Sequence, residues 1–298
     1  MMPRRAAMLA LAAPIAMTGW ASPGSSAPRG QAPYPAAAPA APVRSTPFHW
    51  RGSLSQGGLI RGDAPAGTAT LTLDDRPVPI AQDGAFVVGF DRDAAATATL
   101  VATLGDGRRV TQQLAIAPRA WRIERLNTLP RLPAPDPVFA RLRAPELAAI
   151  AAARARVTPA QGWRQAFAWP ATGRISGLFG AQRIYRGEPG AYHGGVDIAK
   201  PTGAIVRAPA DGIVILVADH PFTLEGNLLM INHGAGLNSA FLHLSRIDVK
   251  EGQAVRQGDP IALVGATGRA TGPHLHWALR WGEARLDPML AAGAMPAE

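Results

Sequence analysis

Two long stretches of this chain, from Phe48 to about Ala117 and from Trp163 to about Leu290, are written in short strand-like runs closed by turn residues, alternating with period two in the first. In the first stretch the runs cover residues 68–73, 85–90, 96–103 and 109–116, separated by Asp-Asp-Arg-Pro, Asp-Arg-Asp and Gly-Asp-Gly. In the second they cover 212–218, 227–232, 239–244, 261–264 and 274–280, closely punctuated by glycine and proline. Alternation of this kind places successive side chains on opposite faces of a strand, and tight turns at such spacing connect antiparallel neighbours. The expected fold class is therefore mainly β, with a small N-terminal β-sandwich over 48–120 and a C-terminal antiparallel β domain over 163–290, followed by a tail at 291–298.

Helical patterning is confined to a connector placed at 121–162. Asp136-Pro137 reads as an N-cap and first-turn pair, and 138–156 is rich in Ala, Leu and Arg. Pro145 is expected to kink or split that helix, because it lacks the N–H that the preceding turn needs. Ahead of the sandwich, Arg4 and Arg5 followed by the apolar run 6–17 and Gly19-Trp20-Ala21 read as a signal peptide cleaved after Ala21. Residues 22–47, rich in Pro, Ala, Gly and Ser, read as a disordered tether. No integral membrane segment is expected in the mature chain.

Composition narrows the chemistry further. Cysteine is absent, which removes disulfides, thiolate metal sites and cysteine nucleophiles together. Any metal site must then be built from histidine and carboxylate. The net charge of +9 comes almost wholly from arginine, since Lys200 and Lys250 are the only lysines. Such a surface suits an anionic polymer, whether nucleic acid, lipid or a carboxylate-rich wall.

Five residues of the second stretch answer to that requirement: His193, Asp197, His243, His274 and His276. His274 and His276 share one face of the last strand, while Leu275 and Trp277 take the other. Gly194-Gly195 lets the backbone turn so that His193 and Asp197 reach one point. His243 comes from a separate strand, with Phe241 on its face. Three such residues can hold a zinc ion with one open position, and the other two are placed to assist a metal-bound water. Taken singly each is weak, since a His-x-x-x-Asp pair is usually a surface or turn contact. His49, His220 and His233 read as structural histidines, His233 organising a turn. Val249–Val255 with Gln257-Gly-Asp-Pro260 has a carrier-hairpin rhythm, set aside because Lys250 opens a strand-like run instead of standing at a tip.

The order His193-x-x-x-Asp197, Phe241-x-His243-Leu244 and Thr271-Gly-Pro-His274-Leu-His276 resembles the lysostaphin/LytM-type zinc metallopeptidases, which act on bacterial peptidoglycan. Ser176–Gly180 with Arg183, 208–213 and 249–265 match as well, so the resemblance runs from about Ala168 to Pro288. It implies that His193, Asp197 and His276 bind Zn2+ and that His243 and His274 form the catalytic pair, in an open groove. It implies an exported zinc endopeptidase hydrolysing peptide stems or cross-links of peptidoglycan, periplasmic, with no nucleic acid partner. An envelope regulatory protein is an open second partner. A non-cleaving wall-binding or amidase-activating module on the same fold is the alternative. The family's tyrosine two residues before the histidine matched by His243 is Phe241 here, and neither Tyr185 nor Tyr192 can be given the role of the loop tyrosine that some members use. The 184–192 and 220–226 loops are expected to wall the groove, and the sandwich or the connector to control access to it.

Overall fold

The computed structural model describes residues 48–128 and 137–297; the expected signal peptide, the tether and the Asp136 cap lie outside them. The first half forms two antiparallel sheets. One orders β1 (His49–Gly52), β2 (Leu59–Asp63) and β5 (Ala85–Gly89) as β1-β2-β5. The other joins β3 (Thr68–Leu73), β4 (Arg76–Val78), β6 (Thr97–Leu104) and β7 (Arg109–Ala115) in the order β4-β3-β6-β7. Their inward residues, among them Ile60, Phe86, Val88, Leu100 and Leu114, share one apolar core. Burying each such side chain contributes roughly 1.5–3 kcal/mol.

The expected helical connector begins instead as a strand. β8 (Ile123–Leu126) runs parallel to β10 (Gln182–Tyr185), which also pairs with β11 (Glu188–Pro189). The 184–192 loop is thus largely a β ribbon, held to β8 by Arg183 donating to Glu124 at 2.7 Å. The helix proper, α1 (Pro137–Arg154), passes through Pro145 without splitting. Contacts on both sides of the proline hold it: Arg143 and Glu146 are in ion pairs, and Ile150 and Ala153 are buried against the following sheet.

That sheet dominates the second half. Between β9 (Arg174–Gly177) and the last helix α2 (Pro288–Ala292) lie β12 (Val196–Ala199), β13 (Ile205–Arg207), β14 (Gly212–Val217), β15 (Asn227–Gly234), β16 (Leu237–Leu244), β17 (Arg246–Ile247), β18 (Ala254–Val255), β19 (Pro260–Leu263), β20 (His274–Trp281) and β21 (Ala284–Leu286). Eight strands form one antiparallel sheet ordered β18-β14-β15-β16-β20-β12-β9, with β21 beside β20. A three-stranded sheet, β13-β19-β17, packs on the same core. Lys250 is exposed and leads into the turn at Glu251–Gly252, so it does not begin a strand.

Each strand of the large sheet divides its residues between two environments. Leu275, Trp277, Val196, Ile198, Leu229, Ile231 and Phe241 face the main core. The opposite face carries Leu228, Met230 and Ala240, which α1 covers with Ile150 and Ala153. Polar contacts fix α1 there. Both guanidinium ends of Arg143 donate to Glu225, one of them at 2.7 Å, and Glu146 accepts from the backbone N–H and the hydroxyl of Thr223, each at 2.6 Å. This clamps the 220–226 loop to the helix.

Burial alone would raise the Glu146 carboxyl, but the Thr223 bonds and Arg143 overturn it and hold the group below its ordinary 4.5. A carboxyl lowered on folding contributes stability above its unfolded pKa and loses it as pH falls through the folded value. Glu146→Ala is expected to cost about 3 kcal/mol at neutral pH, since it strands the Thr223 donors and Arg143. The deficit should shrink below about pH 4.5. Urea unfolding of both proteins from pH 3 to 8 measures it, and a deficit that ignores pH would refute this account.

Candidate metal centre

The metal-ligand candidates come together by register. In β12 and β20, Asp197 pairs directly with His276, and Ala199 with His274. Asp197 is therefore a strand residue rather than part of the turn inferred from Gly194-Gly195. The alternation Val196-Asp-Ile-Ala carried the signal: Val196 and Ile198 enter the core, which leaves Asp197 on the face of His276. His193 reaches over from the preceding loop. Its Nε2 lies 3.1 Å from Asp197 Oδ1 and 3.1 Å from His276 Nδ1, and His276 Nδ1 lies 2.8 Å from Asp197 Oδ1.

These three atoms make a compact triangle of two imidazole nitrogens and one carboxylate oxygen, the one such group of metal-binding character found among the described residues. Tetrahedral zinc with bonds of about 2.0–2.2 Å sets its ligand atoms about 3.3 Å apart. The triangle's edges are within roughly half an ångström of that, so the donor set fits zinc. The hydrogen bonds also prepare the nitrogens. His193 Nδ1 is 3.0 Å from the Leu178 carbonyl, which can only accept, so that nitrogen carries the proton and Nε2 is left as the ligand. Burial disfavours the Asp197 carboxylate, yet the close His193 and His276 rings, where they carry protons in the absence of an ion, hold it far below the usual carboxylate range. Burial likewise lowers His276, partly offset by Asp197, while in His193 burial is outweighed only by the Asp197 bond and charge together with the Leu178 carbonyl, and the group is raised.

His243 and His274 stand beside this triangle. Their rings are 4.8 Å apart, His243 is 6.2 Å from the His276 ring, and His274 Nε2 is 3.7 Å from Asp197 Oδ1. Strict alternation would put His243 on the core face with Phe241, as expected from the sequence. It does not, because β16 bulges there. Leu229 pairs with Phe241 and Asn227 with Leu244, so β16 has one extra residue, and His243 takes the left-handed φ of 63°. The bulge turns His243 out to the histidine face, while Phe241 stays fully buried opposite Trp277. Phe241 is thus a core residue.

Both imidazoles are held in one tautomer. His243 Nδ1 donates to the Thr267 carbonyl and His274 Nδ1 to the Gly272 carbonyl, each at 2.8 Å. In the neutral ring this leaves Nε2 as the nitrogen with the free lone pair. Burial pushes His243 down to about 4, against the Thr267 bond, so it is neutral near pH 7. The remaining histidines lie elsewhere. His49 is exposed, and His220 pairs with the adjacent Asp219 at 2.6 Å. His233 is in strand β15, fully buried between the Asp211 carbonyl and the Ser239 hydroxyl, so it ties strands together rather than organising a turn. Tyr192 donates to Asp91 at 3.1 Å, which occupies its hydroxyl away from the triangle.

Gly195 has no room for a side chain: a Cβ there would come within 2.4 Å of the Trp277 carbonyl and 2.7 Å of His276 Nε2. Gly195→Ala must displace His276, and zinc affinity should fall at least tenfold, the scale typical of disturbed ligand support. Competition with a chromogenic chelator measures it; undiminished affinity would show that the close packing does not set the ligand's place.

Residues 191–288 match the model of peptidase family M23. The chain is 48% identical over 99 residues to the peptidoglycan DD-endopeptidase ShyB of Vibrio cholerae, covering 33% of this chain and 23% of that protein. It is 39% identical over 127 residues to the DD-carboxypeptidase/endopeptidase Mpg of Neisseria meningitidis, covering 41% of this chain and 28% of that one. The chain thus spans about a quarter of the length of the curated relatives it matches. A crystal structure assigned to peptidase M23 from Pseudomonas aeruginosa superposes with a TM-score of 0.62 at 28% identity, over 81% of this chain and 96% of that one. The segment 191–288, with its His-Asp-His donor set on an antiparallel sheet, thus carries a domain similar to peptidase family M23.

Proposed function

We propose that this protein is an exported zinc endopeptidase that hydrolyses peptide stems or cross-links of peptidoglycan, working in the periplasm. The observation that carries the reading is the intact constellation: three ligand atoms in one triangle with two neutral-capable imidazoles beside it. The named activities of the relatives and the arginine-rich charge of +9 support the substrate class, since peptide stems carry carboxylates.

In this reading His193 Nε2, Asp197 Oδ1 and His276 Nδ1 hold the ion. Bound there, zinc supplies a Lewis acid for the scissile carbonyl and a lowered pKa for water. His243 and His274 move the protons. One Nε2 takes a proton from the attacking water, and the other imidazole, when protonated, donates to the developing oxyanion. Their carbonyl-bound Nδ1 atoms keep both rings oriented throughout. No helix among the described residues is long and apolar enough to cross a membrane.

His274→Ala should reduce release of stem fragments from purified sacculi at least a hundredfold while zinc content and thermal midpoint stay unchanged. Normal release by that variant would remove His274 from the mechanism. The non-cleaving alternative is separated by metal. Dialysis of the purified chain against a chelator should abolish release, and added Zn2+ should restore it. A chain that purifies without zinc and releases nothing when loaded is the wall-binding module instead.

A further inference from the structure

A pocket of about 160 Å³ opens beside the metal centre, reached by His276 and Gly194 on one side and by Ile150 of α1 on the other. Three arginines line it: Arg154 from the last turn of α1, Arg280 from β20 and Arg285 from β21. Arg280 is on the histidine face by alternation, two positions beyond Ala278 and four beyond His276. Arg285 is its direct cross-strand partner, an arrangement of like charges that is unfavourable by itself. The stem of Arg285 passes Gly194, next to the first candidate ligand His193.

The usual partners do not neutralise this cluster. Glu225 reaches the same pocket, but both its oxygens are bound by Arg143. Arg280 pairs with Glu283, whose side chain is 85% exposed, and such a surface pair is readily exchanged for another anion. Arg285 stacks over Tyr192 at 5.0 Å. Arg154 has its Nε buried with no hydrogen-bond partner. A basic residue at the last turn of a helix suits the dipole in any case, but that role needs no buried, unsatisfied donor. Burial and the Arg280 charge push Arg154 down to about 10, which still leaves it cationic near pH 7.

Resting on the hydrolase reading above, we infer that Arg154, Arg280 and Arg285 form a carboxylate-binding subsite that receives a free carboxylate of the peptide stem next to the scissile bond. A guanidinium fork matches a carboxylate in two parallel hydrogen bonds, and an incoming carboxylate would both satisfy Arg154 and relieve the Arg280–Arg285 repulsion. It also gives α1 a part in substrate selection, because the helix is the element that brings Arg154 over the sheet.

The test is calorimetric titration of the full, zinc-loaded chain with N-acetyl-D-alanyl-D-alanine and with its C-terminal amide. The acid should bind at least tenfold more tightly, with an advantage that weakens as salt rises. Arg154→Gln should bring the two within about twofold at unchanged zinc content. Arg285→Gln, at an exposed position, should narrow the gap likewise and carries the test if the α1 variant fails to fold. Equal binding of acid and amide by the wild-type chain overturns the inference. So does an acid preference that survives in the folded variants, because the carboxylate would then be held by the metal alone. Stem release from sacculi is measured in parallel: discrimination without release keeps the subsite and sinks the hydrolase reading, while release without discrimination does the reverse.

Discussion

The pairing of Asp197 with His276 across β12 and β20 is the constraint on which the rest of the site depends. A slip of one residue would exchange faces, sending Val196 or Ile198 toward the histidines and Asp197 into the core. Trp277 and Leu275, both fully buried, make that slip prohibitive, since they anchor β20 on the opposite face. The apolar half of the strand therefore sets the register that the polar half needs. Gly195 belongs to the same arrangement, giving the backbone before β12 the space to pass under His276.

His243 obeys a different rule. It reaches the histidine face only because β16 carries an extra residue and a left-handed backbone at that position. For a non-glycine residue such a conformation costs of order 1–3 kcal/mol, and it persists where surrounding contacts over-determine it. Those contacts are present: the His243 N–H donates to the Glu225 carbonyl at 2.8 Å, and Nδ1 donates to Thr267. Glu225 in turn is gripped by Arg143 of α1. The strained histidine and the helix that covers the sheet are thus joined through one loop residue.

These relations explain what could be read beforehand. The strand over 274–281 shows in the sequence because half-buried strands alternate, and those over 85–89, 212–217 and 227–234 because strands buried on both faces are short continuous apolar runs. The five residues could be gathered because they share one stretch of that pattern. β12 is harder to read, being four residues long and hidden behind two glycines that suggest a turn. β8 is obscure for a related reason: its pairing with β10 is set by a partner more than fifty positions away, which local propensity does not report. The position of His243 could not be read at all, because a bulge leaves no mark in an alternation that looks regular. Nor could the arginine pocket, which joins α1 to β20 and β21 across more than a hundred residues.

The N-terminal sandwich enters the same network from the other side. Asp91, just beyond β5, accepts from the Tyr192 hydroxyl and from the backbone N–H of Arg285 at 2.9 Å. Tyr192 immediately precedes His193, so the loop bearing the first candidate ligand is braced by a residue outside the sheet that carries the other two. Arg119 reinforces the contact by pairing with the buried Asp287 at 2.8 Å. In the proposed hydrolase, with one face of the sheet given to the core, the loop before β12 held by the sandwich and the far end covered by α1, a substrate would approach from the side where His243 and His274 stand. The pocket beside that site is lined by side chains from several elements, α1 among them, so its shape is a property of the folded unit and not of the matched 191–288 segment alone.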